Sequence, residues 1–179
     1  MNLRKLIIAA SSLLIACFQA ASLPSGYGKV KLGMDVDSVK SALKSDHQFG
    51  YRGDRDVSLS PSSHETVIET DPTIYAVYSF FERCWFQFSD EKLSVITLNL
   101  NEEMVDYHSV FEELCEKYGI PDEISPKKSV WKSDSVTLSL EKPLSLKYVD
   151  AKAFKQKKES ATVRETAAER ARDEFLKGL

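Results

Sequence analysis

The chain has 179 residues, with 24 basic and 27 acidic side chains and a formal charge of −3. An acidic chain without a basic stripe is a poor candidate for nucleic-acid binding, because neutralising phosphates supplies most of that affinity. The length suits one domain of ordinary size plus extensions, large enough to bury a core without staples.

Residues 1–16 read as a signal peptide. Arg4 and Lys5 precede Leu6–Ala16, an unbroken run of apolar and small residues. That run is too short to cross a hydrocarbon core of ~30 Å comfortably, so it predicts export rather than a membrane span. Its removal leaves 22 basic against 27 acidic residues, a formal charge of −5. Leu14-Ile15-Ala16-Cys17 has the form of a bacterial lipobox, in which the cysteine receives lipid and becomes the new N-terminus. Cys17 is therefore the expected lipidation site and the link to a membrane, placing the protein in the periplasm or on the outer membrane. Ordinary cleavage after Ser22, with Ala20 and Ser22 as the small pair, is the competing reading.

Residues 17–28 are small, polar and Pro/Gly-bearing, a linker to an expected domain over 29–149. Val30 and Leu32 alternate with lysines as in a short strand, Gly33 permits a turn, and Asp35 is placed to cap a helix. Val36, Val39 and Leu43 then share one helical face. Ser45–Asp56 is a polar loop broken by Gly50 and Gly53. It contains Arg52-Gly53-Asp54, which invites a surface-adhesin reading, although a glycine between charges is also ordinary turn chemistry.

From Arg55 the hydrophobic period changes to two. Val57 and Leu59 alternate with polar residues, Thr66–Thr70 is another short strand, and Ile74–Phe88 is rich in aromatic and β-branched residues that suit strands. Alternation puts Phe80, Cys84, Phe86 and Phe88 on one face, with Phe81, Arg83 and Trp85 on the other. Ser89–Lys92 makes the turn and Leu93–Leu100 returns. An exposed aromatic pair beside an arginine has the composition of a protein-interaction hot spot. Phe81, Arg83 and Trp85 are thus the candidate partner-binding residues, unless a loop or the C-terminal segment covers them.

Glu102 and Glu103 suit the positive end of a following helix, whose apolar stripe is Val110, Phe111, Leu114, Cys115 and Tyr118. Gly119 and Pro121 end it. This helix is expected to lie against the two strands that precede it. Cys84 and Cys115 then form a candidate disulfide between strand and helix; two buried apolar thiols are the alternative. Trp131, Val136–Leu140 and Leu144–Val149 read as further strands. The predicted fold class is α+β: two helices packed on an antiparallel meander sheet, with a weak internal duplication. Residues 150–179 predict a charged C-terminal helix of ~40 Å. It has eight basic against six acidic residues and a thin stripe of Val163, Ala167, Ala171 and Phe175. A solvated arm and a partner-docking helix are the two readings of it.

Signals for chemistry are sparse. His47, His64 and His108 stand apart from any second imidazole or cysteine at metal-ligand spacing. Asp54 and Asp56 lack the oxygen count of a calcium loop, and neither a phosphate loop nor a G-x-S-x-G elbow occurs. The expectation is a non-enzymatic protein with no cofactor and no metal.

VKLGMDVDSVKSAL resembles the G-M-x-x-x-x-V opening of small envelope lipoproteins of the BamE/SmpA and β-lactamase-inhibitor-protein-like folds. FEELCEKYGIP followed by VWKSDSVTLSL is similar to the second half of such domains. The order FGYRGDRDVSL, IET, WFQF, KYG-P, VW and LEKPLSLKYVD also looks like that of a group of spirochaetal lipoproteins. The resemblance covers roughly Val30 to Asp150. Taken with the export signal, the lipobox and the sparse signals for chemistry, it leads to the expectation of a binding or scaffold module for another envelope protein. An inhibitor or small-ligand receptor using an aromatic sheet face, with a pocket near Phe81 and Trp85, is the alternative from another class.

Overall fold

A computed structural model describes residues 22–61, 65–74 and 78–178. The signal segment, Cys17 and His64 lie outside the described residues. The architecture is α+β, dominated by a large antiparallel sheet. Strands β1 (Gly26–Tyr27) and β2 (Val30–Lys31) form a small hairpin ahead of helix α1 (Val36–Lys44). Strands β3 (Val57–Leu59), β4 (Thr66–Thr70), β5 (Phe81–Ser89) and β6 (Lys92–Leu100) follow as a meander. Helix α2 (Tyr107–Tyr118) precedes a second meander of β7 (Glu123–Ile124), β8 (Lys128–Lys132), β9 (Val136–Glu141) and β10 (Ser145–Asp150). Helix α3 (Ala151–Lys177) follows. The eight strands form one sheet in the order β3-β4-β5-β6-β10-β9-β8-β7, so the last strand of each meander meets the other at the centre.

Each helix begins where the sequence supplies a carboxylate cap. Asp35 accepts from the backbone N–H of Ser38 at 2.8 Å, and those hydrogen bonds hold its carboxyl below the usual range. Asp106 accepts from His108 and Ser109 at 2.9 and 3.0 Å. Glu102 and Glu103 therefore stand in a turn before the cap, not in the first helical turn. Asp150 caps α3 through Lys152 and Ala153, both at 2.9 Å. The β5–β6 hairpin turns on Asp90 and Glu91, whose φ angles of 50° and 61° match the two left-handed positions of a type I′ turn.

The two helices sit over different halves of the sheet. The α1 segment is joined to β6 by paired backbone bonds, Gly33 N–H to Leu93 O and Leu93 N–H to Met34 O, both 2.8 Å. Beside it Phe49 stacks on Phe81 at 5.1 Å and meets Phe86 edge-on at 5.7 Å, while Tyr27 stands edge-on to Phe81. Gly50, at φ 61°, lets this loop pass so close to Pro72 that a Cβ would sit 2.7 Å from its Cα. Helix α2 instead turns to the second meander. Tyr107 donates to Leu140 O at 3.4 Å, Phe111 packs on Trp131 at 6.1 Å, and Trp131 Nε1 donates to Gly119 O at 2.8 Å. Among the described residues, its hydrogen-bonded and ring partners are thus in the strands that follow it, not in the pair that precedes it.

Cys84 and Cys115 are both free thiols, the first buried in β5 and the second half-buried on α2. The candidate disulfide is not formed here. Burial pushes the Cys84 thiol up to about 12, with the Thr70 hydroxyl pulling weakly the other way. Core side chains Ile68, Phe86, Ile96, Leu98, Leu138 and Leu140 are fully buried on the helix-covered face.

Candidate functional site

The pleat that buries one set of side chains directs the alternate set to the opposite face, where α1 and α2 are absent. Strand register assembles that face into rows. One row runs Glu69, Trp85, Thr97, Lys147 and Ser139, from β4 to β9. Beside it Arg83, Asn99, Ser145, Glu141 and Lys128 form a second. Val67, Gln87, Val95, Val149 and Thr137 form a third.

Arg83 organises the first two rows. Its guanidinium lies 3.5 Å from Glu69 and 3.5 Å from Asp71, and sits 6.0 Å from the centre of the Trp85 ring. Asp71 is held below the usual carboxylate range by Thr73 and Arg83. Trp85 is half-buried and Arg83 exposed, an aromatic platform under a shared cation. Serine and asparagine continue the polar surface, with Ser145 donating to Asn99 Oδ1 at 2.5 Å.

Phe81 does not belong to this surface. Register passes from Phe81↔Leu100 to Arg83↔Asn99, so Glu82 is an extra residue and the strand bulges. The bulge shifts the phase, and Phe81 joins the buried face at 2% exposure while Phe80 is 46% exposed. Strict alternation, blind to the bulge, exchanged the two phenylalanines. The structure keeps Arg83 and Trp85 together and removes Phe81.

The Arg52-Gly53-Asp54 loop is tied down by its own charges. The Arg52 backbone donates to Asp56 Oδ2 at 2.7 Å and its Nε to Oδ1 at 2.8 Å, while the Asp56 side chain is fully enclosed. Asp54 pairs with Lys40 at 3.0 Å. His108 pairs with Glu112 at 3.2 Å on the exposed side of α2. Among the described residues no group of three or more acids, histidines or cysteines is placed to hold a metal ion. Nor is any described helix long and apolar enough to cross a membrane.

The third row ends under α3: the C-terminal segment does come over this face, but over the valine row rather than over Arg83 and Trp85, and the cleft it leaves there was not foreseen from the sequence. The first two turns of α3 cross the open face, and Lys157 reaches Glu65, next to β4, at 2.6 Å. Between helix and sheet lies a cleft of about 380 Å³, lined by Val67, Val95, Val149, Lys147 and Phe154 among others. A signal for it existed. Val95 and Val149 are apolar residues in the polar phase of their strands, out of step with Ile96, Leu98 and Tyr148.

The sequence profile of the TP0088 domain matches residues 25–160. The chain belongs to the TP0088 domain family. That membership is consistent with a spirochaetal protein. No curated protein and no solved structure matches the chain. The TP0088 match takes in both meanders and the first turns of α3, including Phe154 and Lys157 at the cleft.

Proposed function

We propose that this TP0088 domain protein is an exported, lipid-anchored, non-enzymatic module that binds or scaffolds another envelope protein through the open face of its sheet. One observation carries the reading. Among the described residues, the face opposite α1 and α2 has no helical layer beyond the first turns of α3, and Arg83 and Trp85 stand on it. Large sheets usually cover both faces or make one face plainly polar; here the polar face also presents an aromatic and a cation, the side chains that anchor protein interfaces. Export and the lipid on Cys17 rest on the apolar run and the lipobox, which lie outside the described residues. The finer architecture is read as a duplicated unit of the BamE/SmpA-like or inhibitor-protein-like kind. A helix followed by four antiparallel strands occurs twice, and the two units meet through their last strands. The C-terminal helix is read as an arm leaving the domain after its first turns.

Crosslinking in cells followed by mass spectrometry tests the partner. One reproducible envelope protein, lost in an Arg83→Glu/Trp85→Ala variant, is the expected result; recovery of bulk neighbours alone contradicts the reading. Intact mass of the mature N-terminus tests the anchor, and an unmodified chain starting at Leu23 refutes it.

A further inference from the structure

We infer that the cleft beneath the first two turns of α3 is a binding site for a small amphipathic anion, a carboxylate with an apolar chain. This goes beyond the protein-partner reading and stands without it. The first support is an apolar floor where the sheet is otherwise polar. Val67, Val95 and Val149 all belong to one row, crossing β4, β6 and β10, with Gln87 between the first two. Three valines on an open face suit burial under the helix that crosses them, yet a cleft of about 380 Å³ separates α3 from the strands. That volume lies within the ~300–1,000 Å³ range of small-molecule pockets.

The second support is the roof. Phe154 lines the cleft but is 61% exposed, so its ring is poorly covered by the protein's own side chains. An alkyl chain lying along the valines would cover it. The third is charge. Lys147 lines the cleft and is half-buried, and it has no carboxylate partner among the described residues. Lys157, the other ammonium at the cleft, is paired with Glu65. Glu65 is therefore compensated, and the unbalanced charge at the site is the Lys147 cation. The hydroxyl of Ser94 at the cleft is already engaged with Gln87 O and Ser89 Oγ, at 3.1 and 3.3 Å. A partly desolvated ammonium gains most from a charged oxygen acceptor, which makes the ligand's head an anion and its body apolar.

Octanoate and octanol are the probes, followed by backbone amide NMR of the full chain. Octanoate is expected to shift the amides of Val95, Val149 and Phe154 saturably. Lys147→Gln should weaken octanoate at least tenfold while leaving octanol within twofold, and Val95→Phe, which fills the floor, should abolish both. Circular dichroism matching the parent chain checks that each variant folds; if Val95→Phe does not, Val149→Ile replaces it. Shifts mapping elsewhere, or octanoate binding unchanged in Lys147→Gln, would overturn the proposal.

Discussion

The two faces of the same strands have been put to opposite uses. On β5, Cys84, Phe86 and Phe88 are buried, while Arg83 and Gln87 are exposed and Trp85 is half-buried between them. The covered face gains stability by removing apolar area from water, at roughly 25 cal/mol per Å². The open face carries ion pairs and hydrogen bonds that contribute little to folding when solvated. The lesson is that residues that build the core and residues that form the proposed binding surface separate by strand phase, and one bulge is enough to move a residue between them.

The sharpest way to break this comparison is to truncate matched positions. Phe86→Ala, at a fully buried site edge-on to Phe49, is expected to destabilise by ~3–5 kcal/mol. Trp85→Ala, its neighbour on the open face, should cost no more than about 1 kcal/mol, the cation–π contact and partial burial being modest. Urea unfolding of both variants checks the contrast, and equal losses would break it.

The Arg52 loop gives the next largest effect. Arg52→Ala leaves the enclosed Asp56 carboxylate without its guanidinium, at an expected cost of ~3 kcal/mol. Asp54→Ala, which removes an exposed pair, should stay within about 1 kcal/mol. Thermal melts of the two variants measure the difference, and a larger loss at Asp54 would contradict the structural role assigned to Arg52.

The buried thiol adds a pH dependence. Cys84 stays protonated in the fold up to about 12, whereas an unfolded thiol ionises from ~8.5 upward. Above that lower value the unfolded state holds fewer protons than the native one. Stability therefore falls as pH rises through this window, by about 1.4 kcal/mol per pH unit. Cys84→Ala should flatten the slope between pH 9 and 10 in denaturant titrations; an unchanged slope would assign it to other groups. Smallest of all is Lys157→Ala, expected to cost less than about 1 kcal/mol because its pair with Glu65 is exposed on the lysine side. A loss of several kcal/mol would mean that α3 is part of the core.

Much of this contrast was legible in the sequence. Asp35 before Val36, Val39 and Leu43 announced a capped helix, and the alternation in LSVITLNL announced β6. The turn at Ser89–Lys92 followed from a polar run between an aromatic and a β-branched strand. Two things were not legible. A bulge needs partner register, which no single strand contains, so Phe80 and Phe81 were interchanged. Which meander a helix covers is a tertiary choice; nothing in the α2 stripe says that Phe111 meets Trp131 rather than the preceding strands. At the site, Arg83 and Trp85 were visible from phase, whereas Lys147 acquires its meaning only when α3 folds back beside it.

The central claim is that the open face is the one that binds. A photo-crosslinking residue placed at Thr97, in the middle of the open face beside Trp85, and in a second strain at Glu113, exposed on α2, tests it directly in cells. The account predicts a discrete protein adduct from position 97 that position 113 does not give. Adducts from position 113 alone, or the same pattern from both, would contradict it.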